Sequence, residues 1–220
     1  MKKLIFKLLF WIFIILFIIF SIILGLGYLK YKEAVNKISV LDKVQKIRES
    51  ENYTKLENIS LDYKNAVVAI EDHRFYEHSG IDILSIIRST YVNLKSKSLS
   101  YGASTIPQQV GRLMYFSQEK SFTRKVSEIF VAFELEKIFS KDEILELYLN
   151  LMYFGNGYYG ISEASYGYFD KSPKDLTLYE ATYLAGLPNA PSVYSENNEL
   201  AEERRLQVEN AMKKYGYIEK

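Results

Sequence analysis

Two glutamates stand in contrasting chemical settings. Glu71 opens the run "EDHRFYEHSGID" at residues 71–82 and continues the apolar stretch "NAVVAI". Residues three and four apart share a helix face, so Val67, Val68 and Phe75 surround it. Apolar surroundings disfavour a charged carboxylate and raise its proton affinity, which suits a general acid or base near neutral pH. The same spacing also fits a boundary glutamate that reaches to water. Glu128, in "RKVSE", is spaced to pair with Arg124 four residues back and Lys125 three back, which would keep it ionised. On that helix Val126, Ile129, Phe130 and Phe133 are expected to form the core stripe, with Arg124, Lys125 and Glu128 together off it. A solvated salt-bridge face has the same pattern. Two carboxylates held in different environments are the equipment for sugar transfer at an anomeric carbon.

Between them lies "GASTIPQQ", from Gly102 to Gln109. Its small residues lead into an expected helix N-terminus, where free backbone N–H groups favour an anion, and Pro107 fits the first turn. Gln108 and Gln109 offer amide donors and acceptors suited to sugar hydroxyls. Arg112, Lys120, Arg124 and Lys125 then supply four cations against the single acid Glu119. This is the make-up of a diphosphate site without a Walker-type loop, and also of an ordinary basic surface loop. His73, His78 and the nearby acids lack a metal-ligand spacing and read as structural or hydrogen-bonding groups, so no metal ligand is assigned. No cofactor is assigned, and the sequence leaves a need for Mg²⁺ or Mn²⁺ open.

The elements that must position these residues read as helices. Asp82 can cap "ILSIIRSTYVNL" and Ser121 can cap "FTRKVSEIFVAFELEKIF". Ser140 with Glu143, and Thr177 with Glu180, have capping-box spacing before "KDEILELYLN" and "LYEATYLAG". A last amphipathic helix is expected through "LAEERRLQVENAMKKYG". Strand-like alternation and internal repeats do not occur, so the fold class is mainly α.

From Leu8 to Leu26 the chain runs nineteen residues without a charge. At about 1.5 Å per residue this nearly crosses a hydrocarbon core of roughly 30 Å, and reads as one N-terminal transmembrane helix. Lysines flank it on both sides, so charge alone does not orient it. The expected organisation is 1–29 cytoplasmic tip and anchor, 30–59 linker or connecting helix, and 60–220 a single domain. Lys plus Arg number 28 and Asp plus Glu 27, which gives no excess for nucleic acid. With no cysteine, disulfide frameworks and thiolate metal sites are excluded.

The order of motifs resembles the family 51 glycosyltransferases, the peptidoglycan glycosyltransferase domain found alone or in class A penicillin-binding proteins. Glu71, Asp72, Phe75, His78, Gly80 and Asp82 meet that family's first motif, "GASTIPQQ" its second, "RKVSE" its third, and the sequence through about residue 195 the remainder. The resemblance implies a lysozyme-like α fold on the outer face of the bacterial cytoplasmic membrane, held by a single pass. It implies polymerisation of lipid II into β-1,4-linked glycan strands with release of undecaprenyl diphosphate. Glu71 would be the general base, and Glu128 the second catalytic glutamate, helping the diphosphate leave. Lys120, Arg124 and Lys125 would surround the donor diphosphate, with Asp72, His78, Ser104, Thr105, Gln108, Gln109 and Arg112 as further substrate-binding positions.

Ala103 stands where the family usually has Gly, Arg112-Leu113 where Lys-Asn is common, and Lys120 where Arg is common. Arg binds phosphate through a planar fork, so that exchange bears on donor binding. The sequence ends at Lys220, which is the resemblance to the monofunctional enzymes. Partners implied are lipid II and the growing glycan strand, membrane lipid, and other cell-wall synthases. A lysozyme-like hydrolase and an inactive membrane-tethered scaffold are the competing functions. The stretch from Leu84 to Phe116, with Tyr91, Leu94, Leu99, Met114, Tyr115 and Phe116, is expected to hold either a surface that dips into the membrane interface or ordinary core residues.

Overall fold

The computed structural model describes residues 2–96, 102–117 and 121–219. Within them the chain is mainly α: α1 (Lys2–Lys37), α2 (Val40–Arg48), α3 (Leu61–Glu71), α4 (Ile83–Ser96), α5 (Ile106–Tyr115), α6 (Phe122–Ile138), α7 (Lys141–Leu151), α8 (Gly160–Phe169), α9 (Leu178–Gly186), α10 (Pro191–Glu196) and α11 (Asn198–Tyr215). An isolated antiparallel bridge between Tyr153 and Tyr159 is the β-type pairing among the described residues.

Local capping explains the boundaries. The hydroxyls of Ser121 and Thr105 accept from backbone N–H groups at the starts of α6 and α5. The reciprocal capping boxes of Ser140–Glu143 and Thr177–Glu180 are both formed. Asp82 accepts from the Ser85 backbone N–H at 3.0 Å and so caps α4.

The helix α1 is one unbroken rod of 36 residues, about 54 Å long, and is long and apolar enough to cross a membrane. Beyond the apolar part it does not leave the domain as a free tether. It lies along α6, where Gly27 permits the close approach, since a Cβ there would strike the Val126 side chain. The Ser127 hydroxyl donates to the Gly27 carbonyl at 2.9 Å, and Phe130 packs against Tyr28 and Tyr31. The segment at 30–59 also joins the core, with Val40 and Val44 buried and Tyr53 and Leu56 packed against it.

This packing corrects the expected face of α6. Val126, Ile129 and Phe130 are only half-buried and Phe133 is exposed, whereas Ser127, Glu128, Val131, Ala132 and Leu135 are buried. The reason is that α6 is covered by α1 on one side and by α5 on another. Glu128 therefore sits on an inward face, not on a solvated one.

On the far side of α5 lies α7, while α3 is held by α9 and α11. The approach of α5 to α6 is closest at Gly111, where an added Cβ would lie 3.0 Å from the Val131 Cβ and 3.4 Å from the Glu128 carbonyl oxygen. Only a glycine lets the two helices meet there without displacing buried Val131.

Candidate active site

Glu71 is the last residue of α3, half-buried above Val67, Val68 and Phe75, which are themselves buried. Its surroundings are not wholly apolar. The Gln109 Nε2 on α5 donates to Glu71 Oε2 at 2.8 Å. The other end of that carboxamide, Oε1, accepts from the Tyr148 hydroxyl at 3.0 Å and from Arg112 Nη2 at 3.4 Å. Tyr63, about two turns earlier on α3, is fully buried close enough to feel the Glu71 charge.

Glu128 is 2% exposed and forms the second focus. One carboxylate oxygen pairs with Arg124, and the other accepts from Lys125 Nζ at 3.0 Å. The same ammonium donates to Ser104 Oγ at 2.6 Å, tying α6 to the loop before α5. Burial, with Arg112 and Arg124 nearby, holds Lys125 below the ordinary lysine range even though Glu128 pulls the other way. Arg124 and Lys125 thus clamp one carboxylate, and Arg112, near Lys125 and bonded to Gln109, adds a third positive charge beside the Glu71 network.

The remaining motif residues join the two loops to each other. Asp72 is buried; its carboxylate meets His78 Nε2 at 2.8 and 3.0 Å and accepts from the Ile106 backbone N–H at 3.0 Å. The other ring nitrogen of His78 faces the Ser79 carbonyl. Burial alone would lower the His78 pKa, but the bond to Asp72, its charge and the Ser79 carbonyl outweigh it, so the pKa is raised. Thr105 Oγ1 and Gln108 Nε2 both donate to the Gly80 carbonyl, at 2.8 and 3.3 Å. Asp72, His78, Thr105 and Gln108 therefore spend polar atoms on a brace that holds α5 against the end of α3.

Lys120 lies outside the described residues, as does Leu99. The structure brings together Glu71, Gln109 and Arg112 in one network, and Glu128, Arg124, Lys125 and Ser104 in another. Sequence reasoning did not single out Tyr148 or Tyr63. Each sits at a core-like position of its helix, so its spacing signals packing; among the described residues only Tyr148 has a partner for its phenol oxygen, which gives it a polar role, while Tyr63 packs.

Ligand atoms of Asp72, His78 and Asp82 lie within 4.8 Å of one another, but this set is internally paired. Asp72 meets His78, and Asp82 accepts from Ser85 and faces Arg74 at 3.4 Å. Around Glu128 both carboxylate oxygens already face cations. Neither group offers Mg²⁺ or Mn²⁺ an open set of protein ligands.

A hydrogen-bonded carboxylate thus stands at the end of α3, and a second, buried carboxylate on α6 is clamped by cations. Residues 37–213 match the family described as Transgly, transglycosylase. A Cupriavidus necator protein, provisionally named a transglycosylase, is 45% identical over 172 residues, covering 78% of this chain and 73% of that one. Penicillin-binding protein 1A of Neisseria flavescens is 45% identical over 168 residues, 76% of this chain and 21% of that protein. Penicillin-binding protein 1F of Bacillus subtilis is 41% identical over 172 residues, 77% of this chain and 24% of that protein. The chain belongs to the transglycosylase family, the family 51 glycosyltransferases, and is a peptidoglycan glycosyltransferase. It spans less than a quarter of the length of the penicillin-binding proteins it matches.

Proposed function

We propose that the enzyme polymerises lipid II into β-1,4-linked glycan strands at the outer face of the bacterial cytoplasmic membrane, releasing undecaprenyl diphosphate. The acceptor's 4-hydroxyl gives its proton to the Glu71 carboxylate as its oxygen bonds to the donor anomeric carbon. The bond from that carbon to the diphosphate breaks on the opposite face, so the α-linked donor yields a β-linkage. The leaving diphosphate carries its electrons and charge to Arg112, which Gln109 holds, and to Arg124 and Lys125, which Glu128 and Ser104 hold in place. Arg112 Nε is buried with no hydrogen-bond partner among the described residues, as expected of a group that awaits an anion. The observation that carries the reading is that Gln109 and Arg112 of α5 join the Glu71 carboxylate to a network whose Arg112 lies near Lys125 of the Glu128 cation cluster.

The membrane supports this assignment physically. A polyprenyl substrate stays in the bilayer, and an enzyme held at its surface meets it at high effective concentration. Helix α4 has no buried residue, and it exposes Ile83, Ile87, Tyr91 and Leu94 along one face. This face is the one that meets the interface, with α1. Met114, Tyr115 and Phe116 do not join it, because Met114 is buried and the two rings pack against the core.

Fluorescent lipid II incubated with the purified full-length protein tests the reading. Long glycan strands that disappear on Glu71→Gln, with folding intact, are expected. Cleavage of preformed peptidoglycan would make the protein a hydrolase, unchanged substrate would make it a scaffold, and an active Glu71→Gln enzyme would falsify the base assignment.

A further inference from the structure

We propose that Tyr148 is a positioning residue that sets the Gln109 carboxamide against Glu71; the inference rests on Glu71 being the base of the reaction proposed above. Tyr148 is 2% exposed on α7 and donates its hydroxyl to Gln109 Oε1 at 3.0 Å. Arg112 Nη2 donates to the same oxygen at 3.4 Å. With two donors on its carbonyl, the carboxamide has one favourable orientation. Turned about, it would set its oxygen against the Glu71 carboxylate and its NH₂ group against a hydroxyl and a guanidinium.

The orientation enforced by Tyr148 and Arg112 places Nε2 at 2.8 Å from Glu71 Oε2. That bond occupies Oε2 and fixes the carboxylate rotamer from which Glu71 takes the acceptor's proton. Tyr148 stays a donor throughout the working pH range, because burial, followed by the Glu71 charge, raises its pKa well above that of an ordinary phenol. The charged and titratable groups facing this network are Glu71 and Tyr63 from α3, Arg112 from α5 and Tyr148 from α7. α7 thereby contributes to catalysis without touching substrate, by way of a residue 39 positions from the amide it holds.

The test is Tyr148→Phe in the full-length enzyme acting on fluorescent lipid II, with kcat, KM and the pH profile measured beside a melting curve. The phenylalanine keeps the ring and deletes one hydrogen bond, so kcat is expected to fall roughly threefold to tenfold with KM unchanged. Loss of the donor chain disfavours the charged form of Glu71, so the acid limb of the kcat profile should move to higher pH. Tyr63→Phe, which removes a buried phenol oxygen without a hydrogen-bond partner among the described residues, controls for deletion of a buried hydroxyl and should leave the profile in place. A Tyr148→Phe enzyme with wild-type kcat and pH profile, or an identical shift in Tyr63→Phe, overturns the inference. Activity retained in Glu71→Gln overturns the base assignment and this inference together; an inactive Glu71→Gln beside an unaltered Tyr148→Phe overturns the inference alone.

Discussion

Glu128→Gln separates the structural worth of the cation cluster from its catalytic worth. The substitution keeps the shape of the side chain and removes its charge. Two ion pairs are lost, one to Arg124, whose side chain is 12% exposed, and one to Lys125, at 38%. Removing one partner of a buried pair costs about 3–5 kcal/mol, because the other charge is left buried and uncompensated. Lys125 keeps access to water and to Ser104, which places the loss at the lower end, about 3 kcal/mol. For a chain of this size that is a fall in melting temperature of roughly 6–12 °C. The two kinetic constants respond for different reasons. Freed of Glu128, the cluster is more positive and binds the donor diphosphate at least as well, so KM should stay level or fall. The cations lose their fixed positions, so stabilisation of the leaving group weakens and kcat should drop by about 10²–10³, as for loss of one preorganised electrostatic group. Scanning calorimetry and steady-state kinetics on fluorescent lipid II read both. A KM that rises while kcat is preserved would show that Glu128 contacts substrate directly and does not order the cations.

The Asp72–His78 brace makes stability pH-dependent in a defined direction. The folded-state pKa of His78 is raised, so its contribution is fully present below the unfolded value near 6.5 and is lost as pH rises through the folded value. Wild type should therefore exceed His78→Gln by about 1.5–3 kcal/mol in mildly acid buffer, the worth of a charge-assisted bond, and the gap should narrow on the alkaline side. Melting curves across that range check it, and a gap independent of pH would count against a charged His78. On α4, Ile87→Asp with Leu94→Asp should slow polymerisation of lipid II in liposomes several-fold while sparing detergent-solubilised substrate. Equal losses in the two media would place these residues in folding and not at the interface.

Local physics is legible in the residues alone. A long apolar run without breaks reads as a helix, which satisfies its backbone groups within the segment, and the caps at Ser121, Ser140 and Thr177 act within one turn of themselves. The pairing of Glu128 with Arg124 and Lys125 belongs to the same class, because helical spacing alone brings the three together. What periodicity could not decide is which face of α6 turns inward. That helix is covered by both α1 and α5, and the stripe drawn through Val126, Ile129, Phe130 and Phe133 takes in Val126 and Phe130 on the α1 side but misses Glu128 and Val131 on the α5 side.

The setting of Glu71 was also beyond the sequence. Its apolar helical neighbours were readable from spacing, but Gln109 and Tyr148 reach it from 38 positions along the chain and 39 further on. No local propensity encodes an encounter between three helices. It follows from the close approach of α5 to α6 at Gly111, and from the Asp72, His78, Thr105 and Gln108 brace that seats α5 against the end of α3. The sequence by itself determined the helices, the long apolar α1 among them, and the chemical types at the site. Tertiary packing alone decided that Glu128 is buried among its cations and that a phenol on α7 orients the amide beside Glu71, since both depend on which faces the helices cover.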